Sequence, residues 1–287
     1  MPGGAQASAI RVDPASRVVE IVKTNYPRGP FRCAIFDFDG TLSLLRGNWQ
    51  GLMVPMMVET LLATGSGESR PLLTAIVEEF VTRLTGQPTL VQMQALADEV
   101  VKRGRPRSDP QIHLARYLDQ LLSRTEARIE AVETKNAPID EFLVPGSLAL
   151  VQRLHVAGWI LAIASGTDLP HVLREAGVLQ IDRYFAPRIF GPATNSTPFS
   201  KERVLRQLMA ERGLVGSEIV AIGDGPAEIL AVKVVGGLAI GVASDEVHRS
   251  GSLNPLKYEH LAAAGAHAII PDYQDLPSVL QLLTPDS

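Results

Sequence analysis

Short apolar runs alternate along much of the chain with longer segments whose apolar residues recur at helical spacing. Three of these runs are followed at once by a small or polar residue, which is typical of parallel strands buried on both faces; they span residues 33–38, 159–164 and 218–222. Two more strands are expected at 238–242 and near 267–270. Helices that end at a glycine are predicted at 147–158, 169–177 and 201–213. This alternation predicts an α/β fold with a doubly wound parallel sheet.

The stretch from residue 44 to residue 141 has a different pattern. Its apolar residues recur at helical spacing throughout, and it contains no convincing strand. Helical sequence placed between two strands of a sheet is typical of an inserted bundle. We therefore predict a sheet-containing core formed by residues 1–43 and 142–287, with an all-helical domain inserted at 44–141.

Composition narrows the classes of function. The 287 residues include 27 Lys and Arg against 31 Asp and Glu, a formal net charge of −4, so the chain lacks the basic balance typical of nucleic-acid binding. No apolar run reaches the roughly 20 residues that span a bilayer, and residues 1–14 lack the basic and apolar regions of a secretion signal. The one cysteine, Cys33, can form no intrachain disulfide and is expected to be a buried thiol. We expect a cytoplasmic protein with no nucleic-acid or membrane partner.

Two aspartates, Asp37 and Asp39, lie one residue apart at the end of the first predicted strand. Because side chains alternate along an extended chain, the two carboxylates face the same side, where a cation would relieve their repulsion. With oxygen ligands and no His or Cys nearby, Mg²⁺ is the expected metal. Gly40 follows and lets the backbone turn close to a bound group. An Asp-Gly pair alone is ordinary turn chemistry, so the motif gains meaning from its partners at other strand ends.

Further acids follow another predicted strand. Asp224 comes after the run at 218–222, and Glu228 lies four residues later, near the start of a helix that Pro226 favours. The carboxyl ends of parallel strands meet at one edge of a sheet, where ligands bind. Asp224 is therefore expected at the same metal site, with the Glu228 carboxylate close to the metal or its waters.

An anion site is expected beside these acids. Ser165 and Gly166 directly precede a predicted helix, whose first N–H groups favour a phosphate. Lys201 opens another helix, where a cation is unfavourable unless an anionic partner is present. Each has a plainer explanation, since Ser165 could serve only as a helix cap and lysines at helix starts are commonly surface residues. Their combination with the acids is what indicates phosphate chemistry.

In the order DFDGTL, IASG, Lys201 and IGDGPAE, these motifs resemble the haloacid-dehalogenase-like (HAD) superfamily, and within it the phosphohydrolases that use an aspartate nucleophile. The resemblance spans residues 31–271. It implies a Rossmann-like catalytic core with Mg²⁺ as cofactor. The all-helical insertion is similar in position to the C1-type cap domains of phosphoglycolate-phosphatase-like and β-phosphoglucomutase-like members.

Position by position, the resemblance implies that Asp37 is the nucleophile and Asp39 the general acid and base. Ser165 and Lys201 would hold the transferred phosphoryl group. Glu228 stands where aspartate is the commoner residue, and its longer side chain is expected to lie behind the metal ligands. The metal would be bound by two carboxylates and one main-chain carbonyl, those of Asp37, Asp224 and Asp39.

The expected function is a Mg²⁺-dependent phosphatase that acts on a small phosphorylated metabolite, such as a sugar phosphate, through an aspartyl-phosphate. Arg46, Asn48 and Trp49 lie where the chain passes into the insertion. They are candidates for an anion contact, a hydroxyl contact and an apolar wall around the leaving group. A phosphomutase on the same scaffold is one alternative. A non-catalytic phosphometabolite-binding or receiver-like module is another, against which the full set of acids, serine and lysine argues.

Overall fold

The computed structural model describes residues 19–84, 89–193 and 199–284. Residues 1–14, on which the expectation about secretion rests, lie outside these ranges. None of the helices within them combines the length and the apolar character that a membrane span requires.

The described residues form one seven-stranded sheet, whose strands are β1 Glu20–Ile21, β2 Cys33–Phe36, β3 Ile160–Ala164, β4 Ile189–Phe190, β5 Ile219–Gly223, β6 Leu238–Val242 and β7 Ala268–Ile270. Their order across the sheet is β1-β7-β6-β5-β2-β3-β4. Neighbouring strands are parallel except that β1 pairs antiparallel with β7. From β2 inside the sheet the parallel strands continue to β3 and β4 on one side and to β5, β6 and β7 on the other, so the predicted α/β class with a doubly wound sheet is confirmed.

Helices connect the strands. Four lie between β2 and β3 in an insertion: α1 Gln50–Leu62, α2 Arg70–Arg83, α3 Thr89–Lys102 and α4 Pro110–Glu133. The others pack around the sheet: α5 Ser147–Val156, α6 Leu169–Val178, α7 Asp182–Phe185, α8 Lys201–Arg212, α9 Pro226–Val234, α10 Pro255–Ala264 and α11 Leu276–Leu283.

The differences from the predicted elements have local causes. The strand expected at 33–38 ends at Phe36, because the chain then turns and the carbonyl of Phe38 accepts the N–H groups of Leu42 and Ser43, both at 2.9 Å. Strands β1 and β4 were not predicted, since two residues give no periodic signal. Gly177 does not end its helix, which continues to Val178.

Strand β2 is buried on both faces, as its continuous apolar run predicts. Ala34 and Phe36 belong to the apolar cluster on one side of the sheet, and Cys33 and Ile35 belong to the cluster on the other. Cys33 is fully buried, and this burial raises the pKa of its thiol to about 12. The thiol is therefore an inert core group at neutral pH.

The inserted helices have an apolar core of their own. Buried side chains of α1, α2 and α3 pack together with Tyr117 of α4, among them Met53, Leu73, Val77 and Leu96. The separation of this cluster from the two clusters beside the sheet agrees with an inserted helical domain, although its boundaries at 44 and 141 stay a prediction.

Two arginines of α4 bind the main chain of the segment that leads into the insertion. Arg128 Nη1 lies within hydrogen-bond distance of the carbonyl oxygens of Leu45 at 2.8 Å and of Leu44 and Gly47 at 3.1 Å. Arg124 donates to the carbonyl oxygens of Gly47 and Asn48, both at 2.9 Å. These charged donors supply the partners that the irregular backbone needs.

We expect the Arg128→Met substitution to lower the free energy of unfolding by about 2 kcal/mol, since it leaves partly buried carbonyl groups without charged donors. That loss corresponds to a fall of roughly 5 °C in Tm. Differential scanning calorimetry measures both. The control is Arg116→Met at an exposed position of the same helix, where the change is expected to stay within about 0.5 kcal/mol. Equal losses in the two variants would contradict the role of Arg128.

Candidate active site

A cavity of about 810 Å³ lies between the carboxyl edge of the sheet and the inserted helices. Its lining brings together most of the residues that the sequence singles out: Asp37, Asp39, Gly40, Arg46, Trp49, Ser165, Gly166, Lys201, Asp224 and Glu228. They come from three strand ends, two helix starts and the segment before α1, which are distant in sequence. Their convergence is what a parallel sheet produces at the point where its strand order reverses.

Asp37 directly follows β2 and lies beside a cation. Its N–H donates to the carbonyl of Ile222 at 2.9 Å, which holds it against β5. Its Oδ1 accepts the N–H of Phe38 at 2.7 Å and lies 2.8 Å from Lys201 Nζ. The ammonium that the helix α8 presents at its first turn thus has an anionic partner, as expected for a lysine at this position.

Asp39 has a perturbed acidity. Burial of its carboxyl group, reinforced by the nearby Glu175, raises its pKa to about 7, against the opposing effects of Arg46 and of the Thr167 hydroxyl. Thr167 donates to Oδ2 at 2.7 Å, whereas Oδ1 is buried without a hydrogen-bond partner. A carboxyl group with this pKa can both give and take a proton near neutral pH.

Gly40 brings the first strand end against Asp224. Its φ of +70° is in the left-handed region, and a Cβ here would lie only 2.7 Å from Asp224 Cγ. Any other residue would therefore be strained and would push the Asp224 carboxylate away. The glycine of the motif is required by this close approach.

The expected anion site forms a tight turn before α6. Ser165 is buried, its N–H donates to the carbonyl of Phe190 at 2.9 Å, and its Oγ accepts the N–H of Thr167 at 3.0 Å. Gly166 has open space on its Cβ side. The turn leaves this backbone beside the cavity, so its role in phosphate binding stays a prediction.

Glu228 lies behind Lys201. It is the third residue of α9, its Oε1 contacts Lys201 Nζ, and its Oε2 is buried without a partner. Lys201 is therefore held between the carboxylates of Asp37 and Glu228. This geometry places Glu228 where it can fix the position of the lysine.

The structure adds a buried charge network that the sequence did not reveal. Lys257 Nζ lies 2.8 Å from Asp224 Oδ2 and 2.6 Å from Glu246 Oε1. Burial disfavours the ammonium, but these two carboxylates outweigh that effect and hold the pKa of Lys257 above its usual range. Glu246 Oε2 accepts the N–H of Asn48 at 3.0 Å. The network thus connects Asp224 to the segment that leads into the insertion.

The three candidates for leaving-group contacts have different surroundings. Arg46 Nη2 and Nε lie 2.7 and 3.0 Å from Glu175 Oε1. Its guanidinium is thus already engaged by a buried carboxylate, which weakens the expectation of an anion contact. Asn48 does not line the main cavity, and its Oδ1 accepts the N–H of Gly51 at 3.1 Å. Trp49 does line it, in agreement with an apolar wall.

Of the additional residues Glu175, Glu246 and Lys257, only one could have been found from the sequence. Glu246 lies four residues beyond the strand β6, close enough to its end to be a candidate, although it does not follow the strand directly. Lys257 and Glu175 lie inside helices, in patterns typical of ordinary surface and amphipathic positions. Their importance comes from tertiary contacts alone.

Comparison with known proteins gives a family match. Residues 31–236 match the model of the haloacid dehalogenase-like hydrolase family. The phosphoserine phosphatase of Lactococcus lactis subsp. lactis (strain IL1403) is 33% identical over 111 residues, which cover 35% of this chain and 50% of that protein. The chain therefore spans about half the length of this curated relative.

Solved structures share the fold. A predicted phosphoglycolate phosphatase from Haemophilus somnus 129PT superposes with a TM-score of 0.57 at 17% identity, covering 88% of this chain and 99% of that one. A HAD family hydrolase from Deinococcus radiodurans R1, with bound phosphate and sodium, superposes with a TM-score of 0.57 at 18% identity. The match covers 90% of this chain and 99% of that one. With the family match over most of the core, the resemblance seen in the sequence is confirmed: the chain belongs to the haloacid dehalogenase-like hydrolases.

Proposed function

We propose that the protein is a Mg²⁺-dependent phosphatase that hydrolyses a small phosphomonoester through an aspartyl-phosphate on Asp37. The observation that supports this most strongly is the pair formed by a carboxylate held 2.8 Å from Lys201 and a second carboxyl group, two residues on, with a pKa of about 7. The curated relative is a phosphoserine phosphatase by name, which agrees with phosphomonoester chemistry.

In the first half of the reaction, an Asp37 carboxylate oxygen attacks phosphorus and the bond from phosphorus to the leaving oxygen breaks. Asp39 donates its proton to that oxygen, so the alcohol departs neutral. Lys201 and the N–H groups around Ser165 and Gly166 would offset the charge of the phosphoryl oxygens. Each of these groups lines the cavity.

In the second half, water attacks the phosphorus of the aspartyl-phosphate and Asp39 takes the water proton. The bond between phosphorus and the Asp37 oxygen breaks, which releases inorganic phosphate and restores the carboxylate. Asp39 ends protonated, ready for the next turnover. A single carboxyl group with a pKa near neutrality suits both directions of proton transfer.

The residues present fit a magnesium ion. Asp37 and Asp224 are close enough for their charges to repel, and the donors are oxygens only. Within the described ranges no group of three His, Cys, Asp or Glu side chains is arranged to hold a metal. The site that the resemblance implies needs only two carboxylates, those of Asp37 and Asp224, together with the Asp39 carbonyl. Mg²⁺ commonly binds to one or two carboxylates and keeps several waters. When bound, it would neutralise charge on the phosphate.

The test measures inorganic phosphate released from a panel of sugar phosphates, nucleotides and phospho-acids, with no bisphosphate activator. We expect steady release with Mg²⁺, and a loss of at least about 100-fold after dialysis against EDTA, restored by Mg²⁺. Calcium in place of magnesium is the matched control for a nonspecific ionic effect. Accumulation of a positional isomer without phosphate release would favour the phosphomutase. No turnover of any compound would overturn both enzymatic functions.

A further inference from the structure

We infer, on the basis of the proposed phosphatase activity, that the preferred substrate is the phosphomonoester of an uncharged alcohol that has an apolar body and one hydrogen-bond donor, which Gln92 binds. Two observations on the inserted helices that line the cavity support this. One is an apolar wall on α4, and the other is a buried amide oxygen of α3 that has no partner.

The cavity offers little to a negatively charged leaving group. Of the described residues that line it, Arg46 and Lys201 are the only Lys or Arg side chains. Arg46 is engaged by Glu175, and Lys201 lies between two carboxylates at the phosphate end. His171 lies on α6, on the core side and close in sequence to the acid Asp168. A carboxylate or a second phosphate on the leaving group would therefore lose its hydration without gaining a free cation.

The wall on α4 is apolar and open to the cavity. Leu118 and Leu122 are four residues apart and so share one face of the helix. They are 49% and 37% exposed, and both line the cavity together with Leu121 and Trp49. Exposed apolar side chains at the rim of a concave site mark the part of a ligand that they cover. The body of the leaving group is therefore apolar.

Gln92 supplies the polar contact. This residue lines the cavity and is only 4% exposed, and its Oε1 is buried without a hydrogen-bond partner. A buried acceptor without a partner is costly, and native proteins rarely leave one so. A hydroxyl or N–H group of the ligand would satisfy it. Thr89 and Tyr117 also line the cavity, but of these three residues only Gln92 has a buried side-chain atom without a partner. One such group on the ligand therefore distinguishes between otherwise similar alcohols.

Two matched alkyl phosphates test the inference: 2-(4-hydroxyphenyl)ethyl phosphate and 2-phenylethyl phosphate, which differ in one remote hydroxyl. Both have an ordinary alkyl leaving oxygen, so they compare fairly with glucose 6-phosphate and 3-phosphoglycerate. We expect kcat/KM to be highest for the hydroxyphenyl compound, about five- to tenfold above the phenyl compound. The kcat/KM values of glucose 6-phosphate and 3-phosphoglycerate are each expected to be lower again by at least about tenfold.

Substitutions in α3 and α4 test which residues cause this substrate preference. Gln92→Leu is expected to bring the ratio of kcat/KM between the hydroxyphenyl and phenyl compounds to about one. Gln94→Leu, at an exposed position of α3, is expected to leave this ratio unchanged. Leu122→Glu is expected to raise KM for both the hydroxyphenyl and the phenyl compound by roughly tenfold. Ile112→Glu is its control, since Ile112 lies on α4 with 67% exposure and does not line the cavity. Melting curves confirm that each variant is folded.

The outcomes separate this inference from the phosphatase proposal. Phosphate release from 4-nitrophenyl phosphate together with a preference for 3-phosphoglycerate or glucose 6-phosphate overturns the inference alone. So does a hydroxyl preference that survives in Gln92→Leu. Absence of phosphate release from every compound, including 4-nitrophenyl phosphate, overturns the phosphatase proposal and this inference with it.

Discussion

Replacement of Asp37 by asparagine is expected to reduce phosphate release by at least about 10³-fold, because an amide cannot attack phosphorus as the carboxylate does. The side chain keeps its size, and its oxygen can still accept the N–H of Phe38 at the same position. A steady-state assay of inorganic phosphate measures the loss. Mass spectrometry under acid quench adds a second readout, since a phosphorylated protein is expected from the parent and none from Asp37→Asn.

The matched control is Asp119→Asn, the same change at an exposed position of α4. It is expected to keep the rate of the parent protein. Should Asp37→Asn release phosphate as fast as the parent, the nucleophile is not Asp37 and the covalent route proposed for this site is wrong. A folded Asp37→Asn protein, shown by an unchanged melting curve, makes that conclusion independent of stability.

The substitution Asp39→Asn is expected to lower the rate by about 10²- to 10⁴-fold with alkyl phosphates. The loss with 4-nitrophenyl phosphate is expected to be much smaller in the first step, because nitrophenolate leaves without a proton. A rapid-quench experiment then shows a burst of nitrophenol followed by slow phosphate release, since the water that attacks the intermediate also lacks its base. The phosphorylated protein accumulates during this slow step.

The stability of Asp39→Asn separates a chemical effect from a structural one. Burial disfavours the charged Asp39 carboxylate, as its raised pKa shows. A neutral amide is therefore expected to leave Tm equal to that of the parent or higher. Equal losses of rate with alkyl and nitrophenyl phosphates, without a burst, would show that Asp39 is not the proton donor.

The sheet and the acids at its edge could be predicted because their causes are local. A continuous apolar run such as 33–36 indicates a strand buried on both faces, and polar residues directly after such runs converge in any parallel sheet. Asp37, Asp39 and Asp224 were found in this way, and the structure places all three around one cavity. The turn expected at the Asp-Gly pair after Phe38 also has a local cause, since Gly40 has a positive φ that favours glycine.

Contacts across long sequence separations could not be predicted. Glu175 engages Arg46 from 129 positions away, which weakens the expectation, drawn from its place in the sequence, that Arg46 contacts an anion. Lys257 of α10 reaches Asp224, at the end of β5, across 33 positions. In the sequence, Gln92 is an ordinary polar residue of an amphipathic helix, and only the structure shows that it lines the cavity. Such pairings depend on how elements pack, which periodicity does not encode.

The buried state of Cys33 makes the protein well suited to site-directed labelling. A thiol at the centre of the sheet, with a pKa of about 12 and no exposed surface, does not compete for maleimide reagents. One cysteine introduced at the exposed Gln111 of α4 and another at the exposed Arg212 of α8 would therefore give two defined fluorophore positions in an otherwise natural background. The distance between them, followed during turnover, would report whether the insertion moves relative to the sheet.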